Sequence, residues 1–356
     1  MDAAPGIGQS SEVLSASISA TDRLDRLTDL ATPFAVRVVA TLRIPDLIES
    51  GVCRLDALAK EADADADALG RLLRYLAHRD LFTEPAPDVF ALTETGRLLC
   101  DRGPAGHRGW LDLTGLGMRM DLAYTGLLHS VRTGRECYSV VHGHDFWADL
   151  DADPQRQQYA DGLMMSQNER TGPQVARLYD WGRVSQVIDV GGGSGALLAT
   201  VLRAHPHLRG TLVDRPSPAQ STADRFAGSE LADVAGRIEV VAGDFFGALP
   251  AGGDVYVVSR ALTDWNDTDA AAILRRCRDA CGVAGRVLIV EVLPTTPHVK
   301  HLAPFDLQML AVVGGRERST ADFGTLAAQA GLAVSSIMHG SGGLVLIECA
   351  NSIKSE

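Results

Sequence analysis

The chain has 356 residues, of which 46% are hydrophobic and 22% charged, a composition typical of a globular protein with room for about two domains. It has no run of about 18 uncharged apolar residues, which excludes a membrane-spanning helix, and residues 1–20 lack the basic and apolar parts of a secretory signal. The 45 acidic and 33 basic residues give a formal net charge of -12, which disfavours nucleic acid as the principal partner. Six scattered cysteines without a C-x-x-C motif indicate reduced thiols in a cytoplasmic protein.

The first part of the chain has a mainly helical pattern. Apolar residues recur at three- and four-residue steps from Leu24 to Leu42, which predicts an amphipathic helix bent at Pro33. Two further helices and two short strands follow, an order that predicts a winged helix-turn-helix. These helices and strands span 55–62, 69–76, 81–83 and 89–92.

The charges of this winged helix disagree with DNA binding. Residues 54–80 hold five basic side chains against six acidic ones, and the wing carries Glu84 and Asp88 with no lysine or arginine. A module that reads a DNA groove needs the opposite balance. We therefore expect the module to pack against a partner subunit, with a ligand-sensing DNA-binding protein as the alternative.

A glycine-rich turn carries the strongest functional signal. From Ser185 onward, β-branched runs alternate with helical patterns, which predicts an α/β domain with a parallel sheet. The first strand ends in the sequence DVGGGSG at 189–195, and a helix follows. Glycines let the backbone turn sharply and approach a ligand, and the helix N-terminus then faces that ligand.

This motif is compatible with two different cofactors. Gly191, Gly193 and Ala196 match the G-x-G-x-x-G/A pattern of a dinucleotide oxidoreductase. S-adenosylmethionine requires alternating glycines and an acid two residues before the first of them, which Asp189 supplies. Both cofactors need an acid after the next strand for the ribose hydroxyls, and Asp214 fits, although it can also cap the helix that follows.

The third strand favours S-adenosylmethionine. It leads into GDFF at 243–246, and a carboxylate beside an aromatic ring suits adenine: Asp244 can accept the exocyclic amine while Phe245 offers an apolar face. A reductase that binds pyrophosphate does not require this pair. The fourth and fifth strands end at Ser259 and Glu291, and polar residues at the ends of parallel strands are where function normally lies.

Four motifs in this order resemble the small-molecule O-methyltransferases of the caffeate and hydroxyindole type, most closely the bacterial antibiotic branch that includes the anthracycline methyltransferases. The resemblance covers residues 20–350. It implies an α/β class I methyltransferase fold, with a Rossmann-like seven-stranded sheet whose last strand is antiparallel and an N-terminal, mainly helical winged-helix dimerisation domain. The motifs are DVGGG at 189–193, GDFF at 243–246, LTDW at 262–265 and GGRER at 314–318.

The resemblance also implies the domain roles and the partners. In that family the winged helix forms an intertwined homodimer and caps the pocket of an aromatic small molecule, without nucleic acid or a membrane. The implied segments are a flexible tail (1–20), a winged-helix-like dimerisation domain (21–104), a helical linker that lines the substrate pocket (105–170) and the S-adenosylmethionine-binding methyltransferase domain (171–356).

In that family the glycines of the first motif pass the methionine part of the cofactor, the next acid holds the ribose, and the acid–aromatic pair holds the adenine. The serine after the fourth strand stands where many relatives have a lysine, and the tryptophan of LTDW lies near the adenine. The implied cofactor residues are Asp189, Gly191, Gly193, Asp214, Asp244, Phe245, Ser259 and Trp265.

The sequence departs from the family at the catalytic base. Plant-type members have a histidine two residues before the tryptophan, and here that position is Thr263, which cannot act as a base near pH 7. The two acids that orient the histidine are retained as Glu291 and Glu317, although Glu317 can also simply pair with Arg316 or Arg318. Thr263, Glu291 and Glu317 are thus the candidate catalytic residues.

The missing histidine does not exclude methyl transfer, because orientation of two bound reactants supplies much of the catalysis and a general base adds ~10²–10⁴-fold. The substrate is an acidic phenol, another residue is the base, or the acceptor is carbon or nitrogen. We predict S-adenosylmethionine-dependent methyl transfer to a hydroxyl of an aromatic natural-product intermediate. The alternatives are C-methylation of an electron-rich ring and a repurposed member that binds the cofactor without transferring methyl.

Candidate pocket residues come from the helical linker and from the region after the fifth strand. His144 and His301 each belong to a closely spaced histidine pair and are candidate bases, and no third ligand is spaced for a metal. Asp306 matches a pocket-facing acid of the family. Met165 and Met309 would form apolar walls for a flat substrate.

Overall fold

The computed structural model describes residues 19–102, 106–228, 231–293 and 303–352. Contacts divide the chain into two compact units, with the boundary between Cys100 and Asp101. Within the described ranges, no helix combines the length and the apolar character needed to cross a membrane.

The first unit has the predicted order of helices followed by a hairpin. Its elements are α1 (Ala20–Thr28), α2 (Ala31–Thr41), α3 (Ile44–Glu49), α4 (Leu55–Glu61), α5 (Ala66–Ala77), β1 (Phe82–Ala86), β2 (Val89–Leu92) and α6 (Glu94–Arg97).

The predicted long first helix is instead broken between α1 and α2. The Asp29 carboxylate accepts the N–H groups of Ala31 and Thr32 at 2.9 and 3.2 Å, which satisfies donors at the start of α2. Pro33 lies in the first turn of α2, where its missing N–H costs nothing, so the predicted bend at proline was wrong.

The second unit begins with helices and continues as an alternating α/β domain. Its helices are α7 (His107–Leu111), α8 (Leu116–Leu122), α9 (Leu127–Thr133), α10 (Tyr138–His142), α11 (Phe146–Asp151), α12 (Pro154–Leu178), α13 (Ala196–Ala204), α14 (Pro216–Ala227), α15 (Ala232–Ala235), α16 (Asp267–Cys281), α17 (Ala303–Val313) and α18 (Thr320–Gln329). Its strands are β3 (Gln186–Val190), β4 (Arg209–Asp214), β5 (Ile238–Ala242), β6 (Val255–Ser259), β7 (Arg286–Val292), β8 (Leu332–His339) and β9 (Leu344–Asn351).

These strands form one seven-stranded sheet in the order β5-β4-β3-β6-β7-β9-β8. Strands β3 to β7 are parallel, and β9 runs antiparallel to both β7 and β8, as predicted for the last strand. Neighbouring apolar residues of β3 face opposite sides of the sheet. Val187 packs in a hydrophobic cluster with α13, and Ile188 packs in another with α16 and α18. Helices cover both faces, so functional groups gather at the carboxyl edge of β3, β4, β6 and β7.

Candidate active site

The loop after β3 is built from glycines with a left-handed backbone. Gly191, Gly193 and Gly195 have φ values of 72°, 52° and 72°, which glycine adopts at little cost. A Cβ atom on Gly191 would lie 3.4 Å from the ring of Phe245, whereas a Cβ on Gly193 would meet nothing within 4 Å. The loop therefore presents open backbone close to an aromatic ring.

Asp214, at the end of β4, holds this loop in place. Its carboxylate accepts the N–H of Gly193 at 2.7 Å and the N–H of Arg215 at 2.7 Å. Burial raises the pKa of Asp214, and the two N–H groups oppose that rise. The acid predicted to hold the ribose thus lies directly beside the glycine loop.

Asp189 lies beneath the loop, because a Cβ atom on Gly192 would be 2.9 Å from its carboxyl carbon. The side chain is 2% exposed, and neither oxygen has a hydrogen-bond partner among the described residues. Burial, and then the charge of Asp214, raise the pKa of Asp189 to about 7. Its contact with a cofactor stays a prediction.

Four aromatic rings cluster next to the loop. Phe245 and Phe246 meet Trp265 edge-on with ring centroids 5.8 and 4.8 Å apart, and Trp265 stacks on Trp147 at 6.0 Å. The exposed Asp244 accepts the N–H of Phe246 at 2.9 Å through one carboxylate oxygen. The structure therefore brings Asp244, Phe245 and Trp265 together. Trp147 was not predicted, although it follows Phe146 at the start of α11 and two adjacent aromatic residues offered a signal.

Open glycine backbone, a buried acid at the second strand and an acid beside apolar rings suit a cofactor with hydroxyl groups and an adenine. The residues present therefore fit S-adenosylmethionine. Ser259, half-buried at the end of β6, lies at the same edge of the sheet.

The three candidate catalytic residues lie on separate elements at this edge. Thr263 is buried in a short 3-10 helix (Leu262–Asp264), and its carbonyl oxygen accepts the N–H of Arg316 at 2.9 Å. Glu291 is buried near the end of β7 with one oxygen unpaired among the described residues. Burial raises its pKa to about 8, and the Arg260 cation opposes that rise.

Glu317 does not pair with its arginine neighbours. Arg316 and Arg318 both bind the carboxylate of Asp267, at 3.2 and 2.8 Å. The backbone N–H of Glu317 donates to Asp306 at 2.7 Å, and burial raises the pKa of the Glu317 carboxyl. The backbone of the GGRER motif thus packs against Thr263, and Glu317 follows that contact.

Two arginines of this region were missed by sequence reasoning. The buried Arg318 donates to the carbonyl oxygens of Leu262 and Trp265, at 2.6 and 2.7 Å, and so fixes the LTDW loop. Arg260 follows β6 with a left-handed φ of 53°, and its buried Nε has no hydrogen-bond partner within the described part of the chain. The arginine-rich GGRER motif could have indicated the first, but nothing in the sequence distinguishes the second.

The exposed His144 belongs to a polar cluster centred on the buried Asp149. Its Nε2 lies 2.6 Å from the carboxylate, which also accepts bonds from Arg119, Tyr138 and Arg156 at 2.5 to 2.9 Å. Burial opposes ionisation, but hydrogen bonds from His144, Tyr138 and Arg119 lower the pKa of Asp149 to about 2. The cluster ties α8, α10, α11 and α12 together.

The other predicted pocket residues are only partly brought together. Asp306 is exposed on α17 and bonds the Glu317 backbone, and Met309 is buried on the same helix. Met165 is half-buried on α12. His301 lies outside the described residues.

The strand order, the glycine loop and the acid–aromatic pair together define a class I methyltransferase. A family model described as the O-methyltransferase domain matches residues 124–333, and one described as the O-methyltransferase dimerisation domain matches residues 24–102. The chain belongs to this O-methyltransferase family.

Individual relatives agree with this assignment. A 2,7-dihydroxy-5-methyl-1-naphthoate 7-O-methyltransferase from Streptomyces carzinostaticus is 47% identical over 87% of this chain and 92% of its own. The aclacinomycin 10-hydroxylase RdmB of Streptomyces purpurascens is 41% identical over 88% of this chain and 84% of its own. An O-methyltransferase from neocarzinostatin biosynthesis, crystallised with S-adenosylmethionine and 2-hydroxy-5-methyl naphthoic acid, has a TM-score of 0.84 and 44% identity, covering 92% of this chain and 98% of that one.

The predicted family, fold class, enzyme class and cofactor are thereby confirmed. The protein is an S-adenosylmethionine-dependent O-methyltransferase with a dimerisation domain. The roles of individual site residues remain predictions.

Proposed function

We propose that this enzyme methylates a hydroxyl of an aromatic natural-product intermediate of the antibiotic type. One observation carries the proposal: Trp265 lies in the aromatic cluster beside the glycine loop, and Thr263, two residues earlier, lies against the GGRER segment. The adenine side of the site and the acid-lined side are therefore continuous. The names of the naphthoate methyltransferase and of the neocarzinostatin complex support a fused aromatic acceptor.

The cofactor, when bound, supplies an electrophilic methyl group on a sulfonium. Asp244 would accept the adenine amine, Phe245 would offer an apolar face to the adenine ring, and Trp265 would lie near it. Asp214 binds the ribose hydroxyls and keeps the glycine loop in shape. Asp189 supports that loop from below, and Ser259 offers a hydroxyl at the neighbouring strand end.

The side of the site that receives the methyl acceptor is lined by apolar side chains and by carboxyl groups. Met165 and Met309 enclose a flat ring system, and Asp306 anchors the Glu317 segment beside it. Thr263 forms a neutral wall, so the rate rests on holding the hydroxyl in line with the methyl group.

The experiment supplies 2,7-dihydroxy-1-naphthoic acid and S-adenosylmethionine and measures the methyl ether and S-adenosylhomocysteine together. We expect one equivalent of S-adenosylhomocysteine for each ether formed. Methyl on a ring carbon would favour the C-methyltransferase alternative. Binding of the cofactor with no methyl product would favour a repurposed member, a candidate that the 41% identical hydroxylase supports.

We further propose that the enzyme is a cytoplasmic homodimer whose segment 21–104 binds a second copy. Large apolar side chains are exposed within the region matched to the dimerisation domain, and Leu27 is 84% exposed. Such a stripe favours burial against another protein surface. The exposed side chains of this stripe, at the start of the matched region, are Leu24, Leu27, Leu30 and Phe34.

Sedimentation velocity tests the dimer. We expect the mass of a dimer for the wild type and a monomer for the double variant Leu24→Glu and Leu27→Glu. Val283→Glu, at an exposed valine of the second unit, is the matched control and should leave the dimer intact. A wild-type monomer at micromolar concentration would contradict the proposal.

A further inference from the structure

Arg260 carries a cation for which the described part of the chain supplies no side-chain hydrogen-bond acceptor. The residue follows β6, and its backbone N–H donates to the carbonyl of Val290 at 3.0 Å. Its φ of 53° is uncommon for a residue with a side chain, and its Nε is buried without a partner. Strained residues and buried unpaired donors both concentrate at functional sites.

Three carboxyl groups lie near this cation. Ser259 pairs with Val290 in the sheet, so Arg260 and Glu291 follow side by side on adjacent parallel strands. Asp264 ends the 3-10 helix four residues further on, and the GGRER segment, which packs on the backbone of that helix, brings Glu317. The Arg260 charge lowers the pKa of each of these groups against the effect of burial.

The carboxyl groups do not close on the guanidinium. No hydrogen bond or ion pair joins Arg260 to them within the described residues, and Glu291 also keeps an unpaired buried oxygen. Burial raises the pKa of Asp264 to about 7 and that of Glu291 to about 8, so near neutral pH these acids hold much of their protons and leave the cation uncancelled. The charge of Asp306 raises the pKa of Glu317, and the charge of Arg318 lowers it.

We propose that Arg260 binds the acceptor oxygen of the substrate as a phenolate and so replaces a general base with a cation. The inference rests on the proposed function, since it concerns the same acceptor hydroxyl. The phenol O–H loses its proton to solvent, and the oxygen lone pair forms the new O–CH₃ bond. The C–S bond breaks with its electron pair returning to sulfur, which leaves neutral S-adenosylhomocysteine. The Thr263 position therefore needs no histidine.

The position of the cation gives Glu291 and Glu317 a role although Thr263 replaces the histidine that such acids orient. In this chain the carboxyl groups lie near Arg260, which itself places a positive charge at the edge of the sheet where the acceptor must lie. A fixed cation in a water-poor site stabilises an oxyanion more strongly than the same cation does in water. The substrate class that this favours is a hydroxyl on a fused aromatic ring, whose phenolate spreads its charge.

Ionisation of a bound phenol gives a direct readout that needs no turnover. The probe is 2,7-dihydroxynaphthalene, whose phenolate absorbs at longer wavelength, added to enzyme saturated with S-adenosylhomocysteine. A phenol has a pKa of about 10 in water. We expect the pKa of the bound hydroxyl to lie at least about one unit lower in the wild type, near the free value in Arg260→Gln, and between the two in Arg260→Lys.

Arg316→Gln is the matched control, because Arg316 is an exposed arginine of the same region that pairs with Asp267. It should leave the shift in the bound probe unchanged, and circular dichroism should show the same helix content for all variants. An equal shift in the wild type and Arg260→Gln overturns the proposal, and so does an unshifted or unbound probe in the wild type. Methyl transfer to 2,7-dihydroxy-1-naphthoic acid is measured on the same preparations. It shows separately whether the proposed function holds when the proposal for Arg260 fails.

Turnover gives a second test with a distinct pattern. For Arg260→Gln we expect kcat/KM to fall on the order of 10²-fold with 2,7-dihydroxynaphthalene. With 4-nitrophenol, which ionises without help near neutral pH, we expect a much smaller loss. Equal losses on both acceptors would indicate a merely structural role for Arg260 and would contradict the proposal.

Discussion

Gly315 and Thr263 touch through their backbones: a Cβ atom on Gly315 would lie 2.1 Å from the carbonyl oxygen of Thr263. The next residue, Arg316, donates its N–H to the same oxygen at 2.9 Å. The GGRER segment can reach the LTDW loop only because position 315 lacks a side chain.

We expect Gly315→Ala to lower the free energy of unfolding by about 2–4 kcal/mol, because the backbone on either side must move apart. Gly324→Ala is the control, since a Cβ atom there meets nothing within 4 Å and the residue lies in helix α18. That change should leave stability equal or raise it by about 0.5–1 kcal/mol. Urea unfolding measures both, and equal effects would contradict the close packing.

Asp244→Ala should weaken binding of S-adenosylhomocysteine by about 10–100-fold, because the adenine amine loses a charged acceptor. Isothermal titration calorimetry measures the affinity. Asp233→Ala, which removes an exposed carboxylate that pairs with Arg203, serves as the control and should bind like the wild type. Unchanged affinity in Asp244→Ala would refute the adenine assignment.

Thr263→Val should keep turnover within a few-fold of the wild type, since the two side chains have similar shape and the hydroxyl is not the base. Steady-state kcat with an aromatic hydroxyl acceptor measures this. A fall on the order of 10²-fold or more, the scale of a lost acid–base group, would give the hydroxyl a catalytic role.

Asp189 predicts a pH dependence of stability in the cofactor-free enzyme. Its pKa is about 7 in the folded protein and about 4 in an unfolded chain, so the folded state binds the proton more tightly. Stability from this group is therefore fully present below about pH 4 and is lost as the pH rises toward 7.

Asp189→Asn removes that dependence. Between pH 5 and pH 8 we expect the wild type to lose on the order of 1–3 kcal/mol of unfolding free energy more than the variant does. Urea unfolding at both pH values measures the difference. Parallel pH profiles would show that Asp189 ionises freely in the folded state.

The sheet could be predicted because its strands carry their own signals. Buried β-branched runs end at Asp189, Asp214, Ser259 and Glu291, and a parallel sheet brings such ends to one edge. The broken first helix could not be predicted in this way, because periodicity continues across Asp29 while its carboxylate ends the hydrogen-bond ladder.

Residues whose roles depend on distant chain segments were harder to predict. Arg318 bonds carbonyl groups more than fifty residues earlier in the chain, and no local pattern reports that contact. Arg260 stands out by its left-handed backbone angle and by a buried Nε that no described residue accepts from, and neither feature can be read from the sequence. The bond of His144 to Asp149 depends on how four helices pack, so the sequence alone could not distinguish this residue from a pocket base.

The most direct test of the account follows one methyl group. The wild-type enzyme receives S-adenosylmethionine labelled with ¹³C in the methyl group and 2,7-dihydroxy-5-methyl-1-naphthoate, and NMR locates the label in the product. If the enzyme is an O-methyltransferase, we expect a single aryl methyl ether with an equal amount of S-adenosylhomocysteine. Label on a ring carbon, or no label in the product although the cofactor binds, would contradict it.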